Sequence, residues 1–299
     1  MNEILAIPSI RRQLGLLIFL VLCGFVLANL VAVPFFLFSG DASTATGAVA
    51  PKSHLSTGML KIVQTVFTIC LFLLPALFFA RFVFRGKPLR HLGFRAPANN
   101  LFFFLAIITL LLSFPIDEWL GQLNRSIPLT NWMVERQQEA DKQIADFLQV
   151  SSTSDILVNL FVVALLPAVC EEALFRGALQ PIMIRSTRSP WTGILITAFI
   201  FSACHLQFQG FLPRMALGIL LGAIYWYSGS LWVSIAAHFI TNAVQVLALL
   251  YYPKYVAQEP YIPIPLAIGS LVLVIVLLMV IRRQSTAKYP PEPYAKEFQ

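Results

Sequence analysis

The strongest constraint in this sequence is a series of apolar runs, each long enough for a helix to cross roughly 30 Å of hydrocarbon. Eight such runs, approximately 14–38, 60–84, 101–118, 155–183, 191–207, 211–228, 231–251 and 262–281, fill most of the 299 residues. They lack the alternation of membrane-barrel strands. Inside lipid every backbone polar group must find its partner within its own segment, so the runs read as helices. Composition agrees, since 58% of residues are hydrophobic and only 12% are charged, against roughly 25% charged in a soluble domain. The expected fold is all-α: a polytopic integral membrane bundle of about eight transmembrane helices.

The first run, Leu14 to Phe38, follows Arg11 and Arg12 as a secretory signal would. It is far longer than the roughly 7–15 residues of a signal core, so it reads as a retained span, although Ala42 to Ala50 imitates a cleavage site. Basic residues crowd the even-numbered connections and both ends. With both termini in the cytoplasm, 14 of the 21 Lys and Arg fall inside, as the positive-inside rule requires. The net charge of +7 is thus spread over short loops beside spans, which makes the bilayer the expected partner and excludes a nucleic-acid stripe. Cys23, Cys70, Cys170 and Cys204 lie within apolar runs without a CxxC pair, the pattern of free buried thiols.

The chain divides into 1–154, three spans with an amphipathic extracytoplasmic connection; 155–251, four spans; and 252–299, a last span with a Pro-rich tail expected to be disordered. Within the connection 119–154, Trp132, Met133, Ala140, Ile144, Phe147 and Leu148 form an apolar stripe beside Glu135, Glu139, Asp141 and Asp146. This reads as a surface helix on the bundle or in the interface, or as a lid over a site. No inverted repeat of the transporter kind is visible.

Ionisable side chains inside a span are costly and therefore mark function. The fourth run contains Pro167-Ala-Val-Cys170-Glu171-Glu172-Ala-Leu-Phe-Arg176, the fifth ends Phe201-Ser-Ala-Cys204-His205, and the seventh contains His238-Phe-Ile-Thr-Asn242. Arg214 lies near a run boundary, where it can snorkel to the surface. Glu172 and Arg176 are four apart, the spacing of a direct helical ion pair. Glu171 is rotated by about 100° and is left as the free carboxylate, available as a general base. The fourth and fifth runs form a hairpin turning near Arg188, and Glu171 and His205 each lie 17 residues from that turn, so they share one depth. Pro167 removes a helical donor and can kink the helix just before Glu171. His238 and Asn242, four apart, share one face.

The motifs Glu-Glu-x-x-x-Arg, Phe-x-x-x-His and His-x-x-x-Asn, in this order on successive spans over about 155–250, resemble the CAAX protease and bacteriocin-processing (CPBP, Abi) family of intramembrane glutamate proteases. Pro-Leu-Arg-His-Leu-Gly-Phe at 88–94 resembles a segment common in its bacterial members. The resemblance implies an eight-helix bundle with a water-filled cavity and makes 155–251 the catalytic core. It implies that Glu171 activates water, His205 assists, His238 and Asn242 stabilise the oxyanion, and Glu172 with Arg176 supports the site. The substrate would be a membrane-associated protein or peptide, the setting a bacterial inner membrane, and no cofactor would be needed. Amide hydrolysis by this set is chemically coherent, since it needs an activated water and donors aimed at the oxyanion.

Three other readings compete. Glu171, His205 and His238 could hold zinc with Glu172 as base, though no His-Glu-x-x-His is present. A thiol mechanism through Cys170 or Cys204 is disfavoured, because adjacent helical residues diverge and cannot activate each other. A non-catalytic immunity, scaffold or transport protein would use the same charges for binding or relay.

Overall fold

A computed structural model describes residues 5–37, 56–147, 150, 152–252 and 261–286. The stretch Ala42 to Ala50 and the Pro-rich tail lie outside the described residues. Among the described residues the structure is helical, apart from one isolated bridge between Leu5 and Phe84. The helices are α1 (Ile10–Leu37), α2 (Thr57–Val83), the short α3 (Pro88–Leu92), α4 (Leu101–Arg125) and the amphipathic α5 (Asn131–Phe147). They continue with α6 (Thr153–Thr187), α7 (Pro190–Ala203), α8 (Phe211–Ser228), α9 (Leu231–Tyr251) and α10 (Ile264–Gln284).

Each of the eight apolar runs contains a helix, and among the described residues seven of these helices are long and apolar enough to cross a membrane. The eighth, α7, has 14 residues and rises about 21 Å, short of a full crossing. The fifth run was expected to stay helical to 207; instead the helix stops at Ala203 and the chain turns, with Leu206 in the left-handed region at φ 53°. Outward faces of α1 and α10 carry exposed Phe19, Leu22, Leu30, Ile268 and Val272, as helices facing lipid should. The chain is a polytopic, integral membrane helical bundle.

Proline accounts for the irregularity of two long helices. Pro75, Pro167 and Pro181 each lie two residues past the end of a π-helical stretch, Ile69–Leu73, Leu160–Leu165 and Ala173–Leu179 respectively. Proline offers no N–H and its ring clashes with the carbonyl four residues back, and widening the preceding turn relieves both. The kink expected at Pro167 thus takes the form of the π stretch before it, and with the stretch before Pro181 it leaves Glu171 and Glu172 between two π segments.

Packing concentrates on α6. Its buried Ala173, Leu174, Phe175 and Ala178 join α1 and α2 around Phe79 and Val83, while α4, α8, α9 and α10 share a second core around Leu110, Leu221 and Ala237. The turn between α6 and α7 falls at Arg188, with Ser189 capping α7. The segment 88–95 fastens these halves together. Gly93, at φ 115°, ends α3 and its carbonyl accepts from Leu231 N at 2.9 Å. Arg95 Nε donates to the Gly229 carbonyl at 2.6 Å, and Leu92 packs on Gly177 of α6. The heptapeptide noted in the sequence is therefore a clamp on the turn that starts α9.

Candidate active site

Glu171 and Glu172 are both buried on α6, directly before the π-helical stretch Ala173–Leu179. Glu172 Oε1 accepts from Arg176 Nη1 at 2.7 Å, so the ion pair read from the spacing is formed, and both side chains are fully buried. Arg176 also donates from Nη2 to the Gly218 carbonyl at 3.1 Å and stacks its guanidinium over Phe201, 4.7 Å from the ring centre. A buried cation held by carboxylate, carbonyl and π face fixes α6 against α7 and α8.

The same Glu172 oxygen lies 3.0 Å from His238 Nδ1 on α9. A carboxylate paired with arginine can only accept, so Nδ1 carries the proton and Nε2 points elsewhere. It points to Glu171, with Nε2 4.0 Å from Oε2. His205 approaches from the opposite side, its Nε2 3.9 Å from Glu171 Oε1. His205 Nδ1 donates to the Phe201 carbonyl at 2.8 Å, and the faces of Phe201 and His205 meet edge-on at 5.0 Å. Phe201 also meets the His238 ring at 6.1 Å, so one phenyl group spaces both imidazoles and the guanidinium.

Glu171, His205, His238 and Asn242 all line one cavity of about 430 Å³, so the four residues singled out in the sequence are brought together. Glu172 and Arg176 stand behind them. His205 sits in the turn after α7, not on a helix, and its position depends on what holds that turn. Ser202 Oγ donates to the Phe211 carbonyl at 2.7 Å. Asn124 of α4 donates to the Phe208 carbonyl at 2.8 Å and accepts from Leu212 N at 2.7 Å. Gln137 of α5 accepts from Gln209 N at 3.2 Å, and Trp132 packs edge-on against Phe208 at 5.1 Å. Non-helical backbone within a membrane is tolerated only where such partners or a wet cavity satisfy it.

Sequence reasoning missed several residues of this cavity. Arg214, set aside as a snorkelling boundary residue, lines it, and so do Asp117 of α4 and Gln207. All three lie at or near run ends, where a polar residue attracts no notice. Ala140 and Ile144 of α5 also reach the cavity wall, so the amphipathic helix lies against the site with part of its apolar stripe. Asn124 had no signal at all, because an asparagine in the connection after an apolar run looks like a loop residue.

The thiols stand apart from this chemistry. All four cysteines are free; Cys170 is fully buried and Cys204 exposed, and neither lines the cavity. Among the described residues no group of three or more His, Cys, Asp or Glu is arranged to hold a metal ion. Glu171, His205 and His238 remain the donors that would serve one, at the 3.9 and 4.0 Å spacings given above.

Residues 153–244 match the family model described as type II CAAX prenyl endopeptidase Rce1-like. An uncharacterized protein of Bacillus subtilis strain 168, YpbD, is 34% identical over 90 residues, 29% of this chain and 43% of that protein. An uncharacterized 24.3 kDa protein of Escherichia coli is 29% identical over 100 residues, 32% of this chain and 46% of that protein. The chain thus spans less than half the length of each of these relatives. No solved structure matches. The matched segment runs from the start of α6 into α9 and contains Glu171, Glu172, Arg176, His205, His238 and Asn242, so the part of this integral membrane protein that holds the site is the part similar to the Rce1-like model.

Proposed function

We propose that the protein is an intramembrane endopeptidase that hydrolyses peptide bonds of membrane-associated proteins or peptides by direct attack of water. The observation that carries this reading is the pair of gaps flanking Glu171, 3.9 Å to His205 and 4.0 Å to His238. Both are too long for a direct hydrogen bond and suit a bridging water. Glu171 takes a proton from that water as it attacks the scissile carbonyl. His205, with Nδ1 tied to a backbone carbonyl, offers the Nε2 lone pair to the same water. Asn242 donates from its carboxamide to the developing oxyanion. His238 joins it when the ring carries both protons, Nδ1–H on Glu172 and Nε2–H toward the oxygen. The proton held by Glu171 then passes to the leaving amine, so no atom is left over.

The basic-residue distribution supports cytoplasmic amino and carboxyl termini, and the motif order supports a bacterial inner-membrane setting. The test is hydrolysis of a peptide library by the purified protein in liposomes, in ¹⁸O-labelled water with hydroxylamine present. The proposal expects one labelled oxygen in each new carboxylate, no hydroxamate, and loss of cleavage in Glu171→Gln. A trapped acyl-enzyme or hydroxamate would contradict direct water attack.

A further inference from the structure

Arg214 lines the cavity yet has no part in the hydrolysis just described. Among the described residues it is the only Lys or Arg in the cavity wall. Its partners are unusual for a guanidinium within a membrane bundle. Nη2 donates to the Gln207 side-chain oxygen, and Nη1 to the Gln207 carbonyl at 3.4 Å. No carboxylate oxygen lies within 4.0 Å of it among the described residues, whereas Arg176, Arg125 and Arg136 are answered by Glu172, Glu118 and Glu139. A guanidinium is best matched by the two oxygens of a carboxylate, and a neutral amide is a weaker and displaceable partner.

The rest of the wall says where an anion would go. Asp117 and Glu171 are the carboxylates that line the same cavity, and Asp117 is held by Ser113 Oγ at 2.6 Å. Arg214 is the cationic group of that wall, and its corner is the favourable place for an anion. A ligand anchored there shares its cavity with Glu171, His205 and Asn242.

We propose that Arg214 and Gln207 form a subsite that binds a carboxylate of the substrate, and that this anchor sets where the chain is cut. The inference rests on the protease reading for its consequence, but the binding itself does not. The carboxylate belongs either to the substrate's C-terminus or to an acidic side chain, and both offer Arg214 the same two oxygens.

Binding of three fluorescent decapeptides of one apolar sequence tests this, using full-length wild type and Glu171→Gln in lipid nanodiscs. The first peptide ends in a free acid, the second in an amide, and the third in an amide with one internal Glu. The free acid, the internal Glu peptide or both should bind at least about tenfold more tightly than the plain amide, and which one does so identifies the source. Arg214→Gln should abolish the difference, and Arg214→Lys should keep part of it. Gln207→Glu places a carboxylate on Arg214 from within and should also abolish it, which guards against a misfolded arginine variant. Equal binding of all three peptides, no binding, or a preference that survives Arg214→Gln would overturn the proposal. An acid preference in a wild type that cleaves nothing would keep the subsite and sink the protease reading.

Discussion

At the scale of single residues, the site is an arrangement of one carboxylate between two imidazoles, and each imidazole is oriented through its other nitrogen. Glu172 holds His238 and the Phe201 carbonyl holds His205, so both rings turn Nε2 toward Glu171. Asn242→Ala should lower kcat by about 10²- to 10³-fold with little change in KM, since an oxyanion donor acts mainly in the transition state. Steady-state kinetics on any peptide that the wild type cleaves would check it, and a pure KM effect would reassign Asn242 to substrate binding. The Glu172–Arg176 pair makes a different prediction. Arg176→Met alone strands a buried carboxylate and should destabilise by about 3–5 kcal/mol. The double variant Glu172→Leu, Arg176→Met should recover most of that stability yet stay inactive, because His238 loses its Nδ1 partner. Thermal unfolding in detergent, read beside activity, separates the two effects.

Much of this was legible at the residue scale. Charges stand out against an apolar background, and Glu171, His205, His238 and Asn242 could be picked out for that reason alone. The spacing of Glu172 and Arg176 gave their ion pair directly. His238 bonding to Glu172 was not legible, because it joins residues 66 apart in sequence. Arg214 stood out but read as a snorkelling residue, and Gln207 did not stand out at all: polar residues near a run end are expected, so their aim into the cavity leaves no trace in the pattern.

Helices carry the next level of the account. The hairpin of α6 and α7 brings Glu171 to His205, and it closes tightly because Gly193 lets α7 lie on α6. A Cβ at Gly193 would sit 2.6 Å from Ile184 N and 2.7 Å from its Cα, backbone atoms that cannot step aside. Gly193→Ala should therefore splay the hairpin, costing about 1–3 kcal/mol and much of the activity. Gly269→Ala on α10, with nothing within 4 Å of the added Cβ, should be neutral or slightly stabilising. Parallel melting curves would show the contrast, and equal effects would refute it. Asn124→Ala leaves the Phe208 carbonyl and Leu212 N–H of the His205 turn without their side-chain partner. A loss of roughly 1–3 kcal/mol is expected, with activity falling further than stability explains. Apolar run length located the eight helices of the bundle's spans, but not the early stop of α7. Cys204, Leu206 and Phe208 extend the apolar run past Ala203, and the turn is set by tertiary bonds to α4 and α5.

For the molecule as a whole, an apolar exterior surrounds the cavity that Glu171, His205, His238 and Asn242 line, and the catalytic proposal needs both. The motif resemblance over about 155–250 and the family match over 153–244 fall on the same stretch, which supplies Glu171, His205, His238 and Asn242 to that cavity. Two whole-protein tests separate the proposed water chemistry from its rivals. Exhaustive metal removal should leave peptide hydrolysis unchanged, whereas loss restored by zinc would make Glu171, His205 and His238 ligands. The Cys170→Ser, Cys204→Ser double variant should retain activity, since neither thiol lines the cavity.

The central claim is that Glu171 cuts membrane-associated chains, and comparing protein termini in membranes of cells producing wild type or Glu171→Gln tests it most directly. The account predicts a defined set of new termini present with the wild type and absent with the variant at equal protein levels. If no terminus depends on Glu171 while both proteins accumulate in the membrane, the protein is not the protease described here.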